Sequence, residues 1–102
     1  MDIRYAVHPE QMKTLDTQKI REQFLVENLF ARDRLNMVYS YIDRIIVGGI
    51  SPAKGAVDLR VTKELGVDFF LQRREMGIIN IGAAGVVSID GKKYKLGNRE
   101  CL

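Results

Sequence analysis

The stretch VVSIDGKKYKL, residues 86–96, carries the clearest structural signal in the chain. Two segments of alternating character flank Asp90-Gly91, and this pair supplies the two positive-φ positions that a type I′ turn requires. A β-hairpin with this turn places three residues before it opposite three after it: Ile89 opposite Lys92, Ser88 opposite Lys93, and Val87 opposite Tyr94. One face then carries Val87, Ile89 and Tyr94, which is typical of a sheet packed on a core.

Further segments rich in aromatic and β-branched residues are predicted to be strands: residues 24–30, 35–49, 57–61, 67–74 and 77–85. We expect Gly48-Gly49 to interrupt the second of these, and residues 62–66 to form one helical turn closed by glycine. Short strands separated by turns every ~8–12 residues are typical of an antiparallel sandwich or barrel. The sequence therefore predicts a mainly β fold.

One short N-terminal helix is predicted over residues 14–24, where Asp16 or Thr17 can cap the first turn. Ile20 and Phe24 lie one turn apart on one helical face. Residues 1–13 show no period and are predicted to be an extended arm. We therefore divide the chain into residues 1–34, with arm, helix and first strand, and residues 35–102, a partial barrel truncated at its C-terminal end.

The composition limits the classes of protein to which the chain can belong. A length of 102 residues allows one domain, and 46% hydrophobic with 28% charged residues is ordinary for a globular domain. No apolar run approaches the ~20 residues that cross a bilayer, and the N-terminus lacks a secretory h-region. A single cysteine fits a reducing compartment, so we expect a cytoplasmic protein without a membrane partner. A net charge of +3 without tryptophan argues against nucleic-acid binding.

Few residues offer catalytic or metal-binding chemistry. The only histidine, His8, lies in the predicted arm and has no partners at metal-ligand spacing, so we interpret it as a solvated residue. Cys101 has neither a histidine neighbour nor a C-x-x-C partner, which argues against a nucleophile. The glycines of residues 82–85 precede a strand, whereas a dinucleotide loop opens into a helix, so a turn is predicted there.

Arg73, Arg74 and Glu75 form the most suggestive charged cluster. If residues 67–74 are a strand, alternation places Arg73 and Glu75 on one face with Phe69 and Leu71. Such a face, apolar at one end and charged at the other, is compatible with a pocket rim where arginine pairs with a substrate carboxylate. An ion pair at a subunit interface is the alternative. Glu75 is the one carboxylate with a plausible pocket context for a general base.

The spacing around Glu75 resembles the second half of the first cupin motif, G-x5-H-x-H-x3-4-E-x6-G, because six residues separate Glu75 from Gly82. The two histidine positions then fall on Phe69 and Leu71, or on Asp68 and Phe70 with the longer spacing. None of these is histidine, and the hydrocarbon side chains of Phe69, Phe70 and Leu71 cannot bind a divalent metal. The resemblance implies a cupin barrel without a metal site.

Three stretches extend the resemblance over the chain: KTLDTQKIREQFLVENLF, MVYSYIDRIIVGGISP and FFLQRREMGIINIGAAGVVSIDGKKYKLGNRECL. They are similar to the N-terminal part of the 5-keto-4-deoxyuronate isomerase family. That resemblance implies a two-cupin protein, usually a hexamer, in the breakdown of pectin and other polyuronates. It implies interconversion of 5-dehydro-4-deoxy-D-glucuronate and 3-deoxy-D-glycero-2,5-hexodiulosonate. It also implies zinc held by three histidines and one glutamate of the C-terminal cupin, beyond Leu102.

The residues after Leu96 suggest a turn leading into a further strand, so we expect a truncated piece of a longer protein: the incomplete N-terminal cupin of a two-cupin isomerase. On its own, such a fragment is expected to hold no zinc and to be inactive. Two alternatives stay open. One is a non-catalytic half-cupin that binds a sugar acid or assembles with a partner; the other is a small nucleic-acid-binding β-barrel, whose affinity would fall steeply with salt.

Overall fold

Strands outnumber helices in the computed structural model, which describes all residues from Met1 to Leu102. The elements are β1 (Asp2–Arg4), α1 (Pro9–Met12), α2 (Thr17–Phe24), β2 (Leu35–Ser40), β3 (Ile45–Ile50), a 3₁₀ turn (Lys63–Leu65), β4 (Gly85–Ile89) and β5 (Lys92–Leu96). They belong to two compact units, Met1–Glu64 and Leu65–Leu102. The mainly β prediction is confirmed, but the strands form two small sheets and no closed barrel. The division at residue 34 stays a prediction.

The sheet of the first unit has the order β1-β2-β3. The prediction of one strand over residues 35–49 is wrong, because β2 and β3 form an antiparallel hairpin in which Leu35 pairs with Ile50 and Ser40 with Ile45. Asp43 and Arg44 adopt positive φ angles of 55° and 52° in the turn between them. Residues with short polar or flexible side chains adopt this region of φ at some energetic cost. The turn was not predicted because the strand-like alternation of residues continues through this segment.

The N-terminal segment is more ordered than an extended arm. β1 pairs in parallel with β2, so the sheet is not wholly antiparallel. α1 follows, with His8 at its N-cap and the His8 Nδ1 atom accepting a hydrogen bond from the Glu10 amide at 3.2 Å. The predicted helix is confirmed as α2, and Asp16 caps it by accepting from the Lys19 amide at 2.8 Å.

The segment after α2, residues 25–30, is not the predicted strand. Its carbonyls bind side chains instead of a neighbouring strand. The Arg4 guanidinium donates to the Leu25 carbonyl at 2.5 Å, and Asn36 Nδ2 donates to the carbonyls of Asn28 at 3.1 Å and Leu29 at 3.2 Å. Asn28 has a φ of 53°, which no extended strand accommodates.

The second unit is built on the predicted hairpin, which is confirmed. β4 and β5 pair in the expected register, and Asp90 and Gly91 have φ angles of 48° and 78°. The pairing resumes beyond the hairpin, since the Ile78 and Leu102 backbones exchange hydrogen bonds of 2.8 and 2.9 Å. The residues that follow the turn after Leu96 therefore extend the same ribbon.

Three other predicted strands do not form as predicted; of residues 77–85, only Ile79, in an isolated bridge, and Gly85, in β4, have strand pairing. Residues 57–61 are irregular, and residues 67–74 make bends and turns. In the latter, the Gln72 amide donates to the Phe69 carbonyl at 3.1 Å and the Gln72 side chain accepts from the Asp68 amide at 2.8 Å. These local bonds replace the inter-strand pairing that alternation would need. The predicted helical turn at residues 62–66 is confirmed, with Gly66 at a φ of +57°.

The buried core is small. Only Val38, Tyr39 and Leu96 are buried apolar side chains. The accessible surface of 8397 Å² compares with about 5,800 Å² for a compact protein of this mass, or about 7,000 Å² for two separate compact units. A chain with this composition is expected to bury more apolar surface than it does here.

Candidate functional site

The predicted site residues lie in the second unit. Arg73 ends the turn segment, with Arg73 and Glu75 exposed and Arg74 half-buried. The strand that would have placed Arg73 and Glu75 on one face is absent, so that argument for a shared face is wrong. Their roles toward a substrate stay predictions. The exposed guanidinium and carboxylate are free to meet a ligand or another polypeptide.

The cupin ligand positions carry no metal chemistry. Phe69 is 60% exposed and Leu71 is half-buried, and neither side chain can donate a lone pair to zinc. The structure contains no group of three or more histidine, cysteine, aspartate or glutamate side chains arranged to hold a metal ion. With one histidine in the sequence, this chain does not fit the zinc ligand set that the resemblance implies.

Asn80 is a residue whose importance the sequence analysis missed. Its Nδ2 atom donates toward three carbonyls, those of Ala83 at 2.9 Å, Leu96 at 3.0 Å and Gly97 at 3.1 Å. Its Oδ1 atom accepts from the Gly82 amide at 3.0 Å. This side chain holds the glycine-rich turn at residues 82–85 and joins it to the end of β5. The prediction of a turn rather than a phosphate loop is confirmed, because β4 follows it.

An open groove of about 640 Å³ in the first unit was also not predicted. It lies between α2 and the residues beside β1, and its lining is Arg4, Thr17, Gln18, Arg21, Glu22, Leu25 and Glu27. Both of its guanidinium groups are already engaged, Arg21 with the Glu27 carboxylate and Arg4 with Asp2 at 3.3 Å. The groove therefore offers no unpaired positive charge to an anionic ligand. Six of its seven lining residues lie within residues 17–27, and only Arg4 comes from another segment.

One carboxylate has a perturbed pKa. The Thr62 hydroxyl beside Glu64 lowers the pKa of the Glu64 carboxyl below its usual value, and the backbone amide of Glu64 acts in the same direction. The Thr62 hydroxyl oxygen is buried, and no partner forms a hydrogen bond of good geometry with it. Because Glu64 is fully exposed, its lowered pKa reflects local contacts in the 3₁₀ turn and does not indicate a catalytic pocket.

No family model matches the chain, but comparison with known proteins finds similar ones. The chain is 54% identical over 104 aligned positions to the 4-deoxy-L-threo-5-hexosulose-uronate ketol-isomerase of Escherichia coli strain SMS-3-5 / SECEC. It is 53% identical to the proteins of that name from Escherichia coli O139:H28 strain E24377A / ETEC and O45:K1 strain S88 / ExPEC. Each alignment covers 100% of this chain and 37% of the relative.

The chain thus spans little more than a third of the length of the curated relatives that it matches. No helix is both long enough and apolar enough to cross a membrane. The aligned region spans the whole chain, and therefore includes the segments of the hairpin, the glycine-rich turn and the Arg73-Arg74-Glu75 cluster. By sequence, the chain is similar over its whole length to relatives named 4-deoxy-L-threo-5-hexosulose-uronate ketol-isomerase.

Proposed function

We propose that this chain acts as the amino-terminal part of a ketol-isomerase that interconverts 5-dehydro-4-deoxy-D-glucuronate and 3-deoxy-D-glycero-2,5-hexodiulosonate. The observation that carries the proposal is the identity of 54% over the whole chain to relatives named for this reaction. The proposed setting is the breakdown of pectin and related polyuronates in the bacterial cytoplasm. The relatives' names do not favour a non-catalytic sugar-acid-binding module.

The reaction moves hydrogen between neighbouring carbons. A base removes a proton alpha to the carbonyl, an enediol forms, and the proton returns to the adjacent carbon, so no external oxidant or reductant is needed. The enediolate carries negative charge that the site must stabilise. We propose Glu75 as a residue that handles a proton in this step, and Arg73 or Arg74 as the partner of the substrate carboxylate.

Zinc is proposed for the whole protein and not for this chain. When bound, zinc would stabilise the negative charge of the enediolate as a Lewis acid. Its proposed ligands, three histidines and one glutamate, belong to the part of the protein that this chain does not match. The contribution of this chain to the site is therefore limited to substrate contacts and to the structure that positions them.

The proposed whole protein has two cupin barrels and assembles as a homo-oligomer, a hexamer in the family. In support, the accessible surface of 8397 Å² and the few buried side chains leave much apolar area to be covered by further polypeptide. The isolated chain is proposed to be inactive and free of zinc.

The test is a fusion in which this chain replaces the segment it matches in the Escherichia coli SMS-3-5 / SECEC relative. We expect the fusion to isomerise the uronate and the isolated chain to leave it unchanged. Arg73→Ala in the fusion should lower kcat/KM about tenfold to a hundredfold, the worth of a hydrogen bond to a charged group, with Lys63→Ala as the matched control. A folded fusion without turnover would overturn the proposal.

A further inference from the structure

The turn between β4 and β5 presents a reactive pair of residues to solvent. Asp90-Gly91 is the only Asp-Gly pair in the sequence, which contains no Asn-Gly pair. Both residues are exposed, and the Asp90 carboxylate forms no ion pair. Apart from its chain neighbours, no atom lies within 4 Å of the point where a Cβ on Gly91 would stand. The carboxylate and the amide that follows it are therefore free of steric cover.

The chemistry open to this pair is the closure of a cyclic imide. The Gly91 nitrogen attacks Cγ of the protonated Asp90 carboxyl, the C–OH bond breaks, and the hydroxyl leaves as water with the amide proton. Glycine favours this step because it has no side chain beside the attacking nitrogen. Water then opens the five-membered ring at either carbonyl and gives aspartate or isoaspartate. One water is released and one is taken up, so no oxidant, reductant or further reagent is needed.

The closed turn keeps the two reacting groups apart. Asp90 and Gly91 have φ angles of 48° and 78°, and Ile89 pairs with Lys92 across the turn, which is the arrangement of type I′. In this conformation the backbone of the first central residue directs the next nitrogen away from its own Cβ. Ring closure requires that nitrogen to lie on the same side as Cβ. The turn must therefore open before the imide can form.

We propose that Asp90 is a modification site, where local opening of the hairpin allows conversion to isoaspartate. The sheet of β4 and β5 has two strands, and sheets of two strands open at small cost in free energy. In isoaspartate the main chain runs through Cβ, so the turn gains one backbone atom. The five register pairs depend on a two-residue connection, and the isoaspartyl chain therefore does not close again in that register. This proposal is independent of the proposed reaction.

The test follows heavy oxygen from water into the folded chain. The chain is incubated in heavy-oxygen water at physiological pH and temperature, and is then digested with trypsin in ordinary water. The tryptic peptide Glu75–Lys92 contains Asp90 as its single aspartate. We expect fragmentation to place one heavy oxygen at residue 90, together with the isoaspartyl backbone. The peptides that carry the other aspartates should gain no heavy oxygen over the same time.

Two variants at residue 90 serve as controls. Asp90→Asn keeps a pair that type I′ turns prefer and forms the same imide with loss of ammonia, so it should give the same two products. Asp90→Glu would need a six-membered ring, and the isoaspartyl product should be lost. If the unsubstituted folded chain gains no heavy oxygen at Asp90 while the Asp90→Asn chain forms product, the proposal is overturned. Equal labelling of all aspartates would also overturn it.

Two further measurements test the role of opening. Tyr94→Ala removes the cross-strand partner of Val87 and should speed isoaspartate formation about 1.4-fold to fivefold, whereas Tyr5→Ala in the first unit should leave the rate unchanged. An unchanged rate in the Tyr94→Ala chain would mean that the closed turn reacts, against the proposal. The isoaspartyl chain, separated by chromatography, should lose amide-exchange protection in β4 and β5; retained protection would overturn the inferred loss of register.

Discussion

Replacing Gly49 by alanine should destabilise the first unit far more than the same change at its neighbour Gly48. Gly49 is buried in β3, and a Cβ atom built on it would lie 2.6 Å from Leu29 Cγ, 2.7 Å from the Leu29 carbonyl oxygen and 2.9 Å from the carbonyl carbon. A side chain can rotate away from such a contact, but the Leu29 backbone cannot do so without moving the segment that Asn36 holds.

The magnitude follows from these contacts. Overpacking that shifts backbone costs about 1–3 kcal/mol. A Cβ on Gly48 would meet Met37 Cγ at 3.5 Å, an ordinary contact, so Gly48→Ala should be neutral or gain about 0.4–1 kcal/mol from the reduced freedom of the unfolded chain. The two variants should therefore differ by about 1–4 kcal/mol in the free energy of unfolding.

Urea unfolding followed by tyrosine fluorescence measures this difference, since the chain has four tyrosines and no tryptophan. Each kcal/mol also corresponds to about 4–8 °C in Tm for a domain of this size. The double variant Gly49→Ala with Leu29→Ala should recover only part of the loss, because the carbonyl of residue 29 remains in place. Equal stability of the Gly48→Ala and Gly49→Ala variants would refute the reasoning.

Three further perturbations have expected outcomes. Asp16→Ala removes the acceptor of the Lys19 amide and should cost about 1 kcal/mol, seen as lost helical circular dichroism; an unchanged spectrum and stability would contradict the cap. Gly91→Ala places a Cβ at a φ of 78° and should cost about 1 kcal/mol, measured by amide exchange across the hairpin; unchanged protection would count against the turn. Thr62→Val should raise the pKa of Glu64 toward its usual value in an NMR titration. Because folding lowers that pKa, the stabilisation by ionised Glu64 is present above the unfolded pKa and is lost as pH falls; an unmoved pKa would contradict the role of Thr62.

The features predicted correctly from sequence are those fixed by local chemistry. Asp90-Gly91 determines the turn, and the turn determines the register of five residue pairs. Asp16 determines where α2 begins, since an N-cap needs only the amide three residues ahead. Gly66 ends the 3₁₀ turn by the same kind of short-range argument. Such features depend on a few neighbouring residues and hardly on the rest of the fold.

The features predicted wrongly depend on partners distant in sequence. Residues 67–74 have a strand's composition, but a strand needs a neighbour, and the Gln72 side chain bonds locally instead. Gly48-Gly49 resembled an interruption, yet both residues lie inside β3, where Gly49 allows the close approach of Leu29. The prediction that Arg73 and Glu75 share a face is wrong, because it assumed a strand that does not form. The residue pattern of one segment does not show which distant segment of the chain will pack against it.

The most direct test of the proposed function is the isomerisation rate of the fusion between this chain and the remainder of the Escherichia coli relative. The natural relative and the isolated chain are assayed beside it on 5-dehydro-4-deoxy-D-glucuronate. With 54% identity across the replaced segment, we expect the fusion to convert the substrate and the isolated chain to show no turnover. A fusion that folds like the natural relative, yet converts no substrate, would contradict the assignment of this chain to the isomerase reaction.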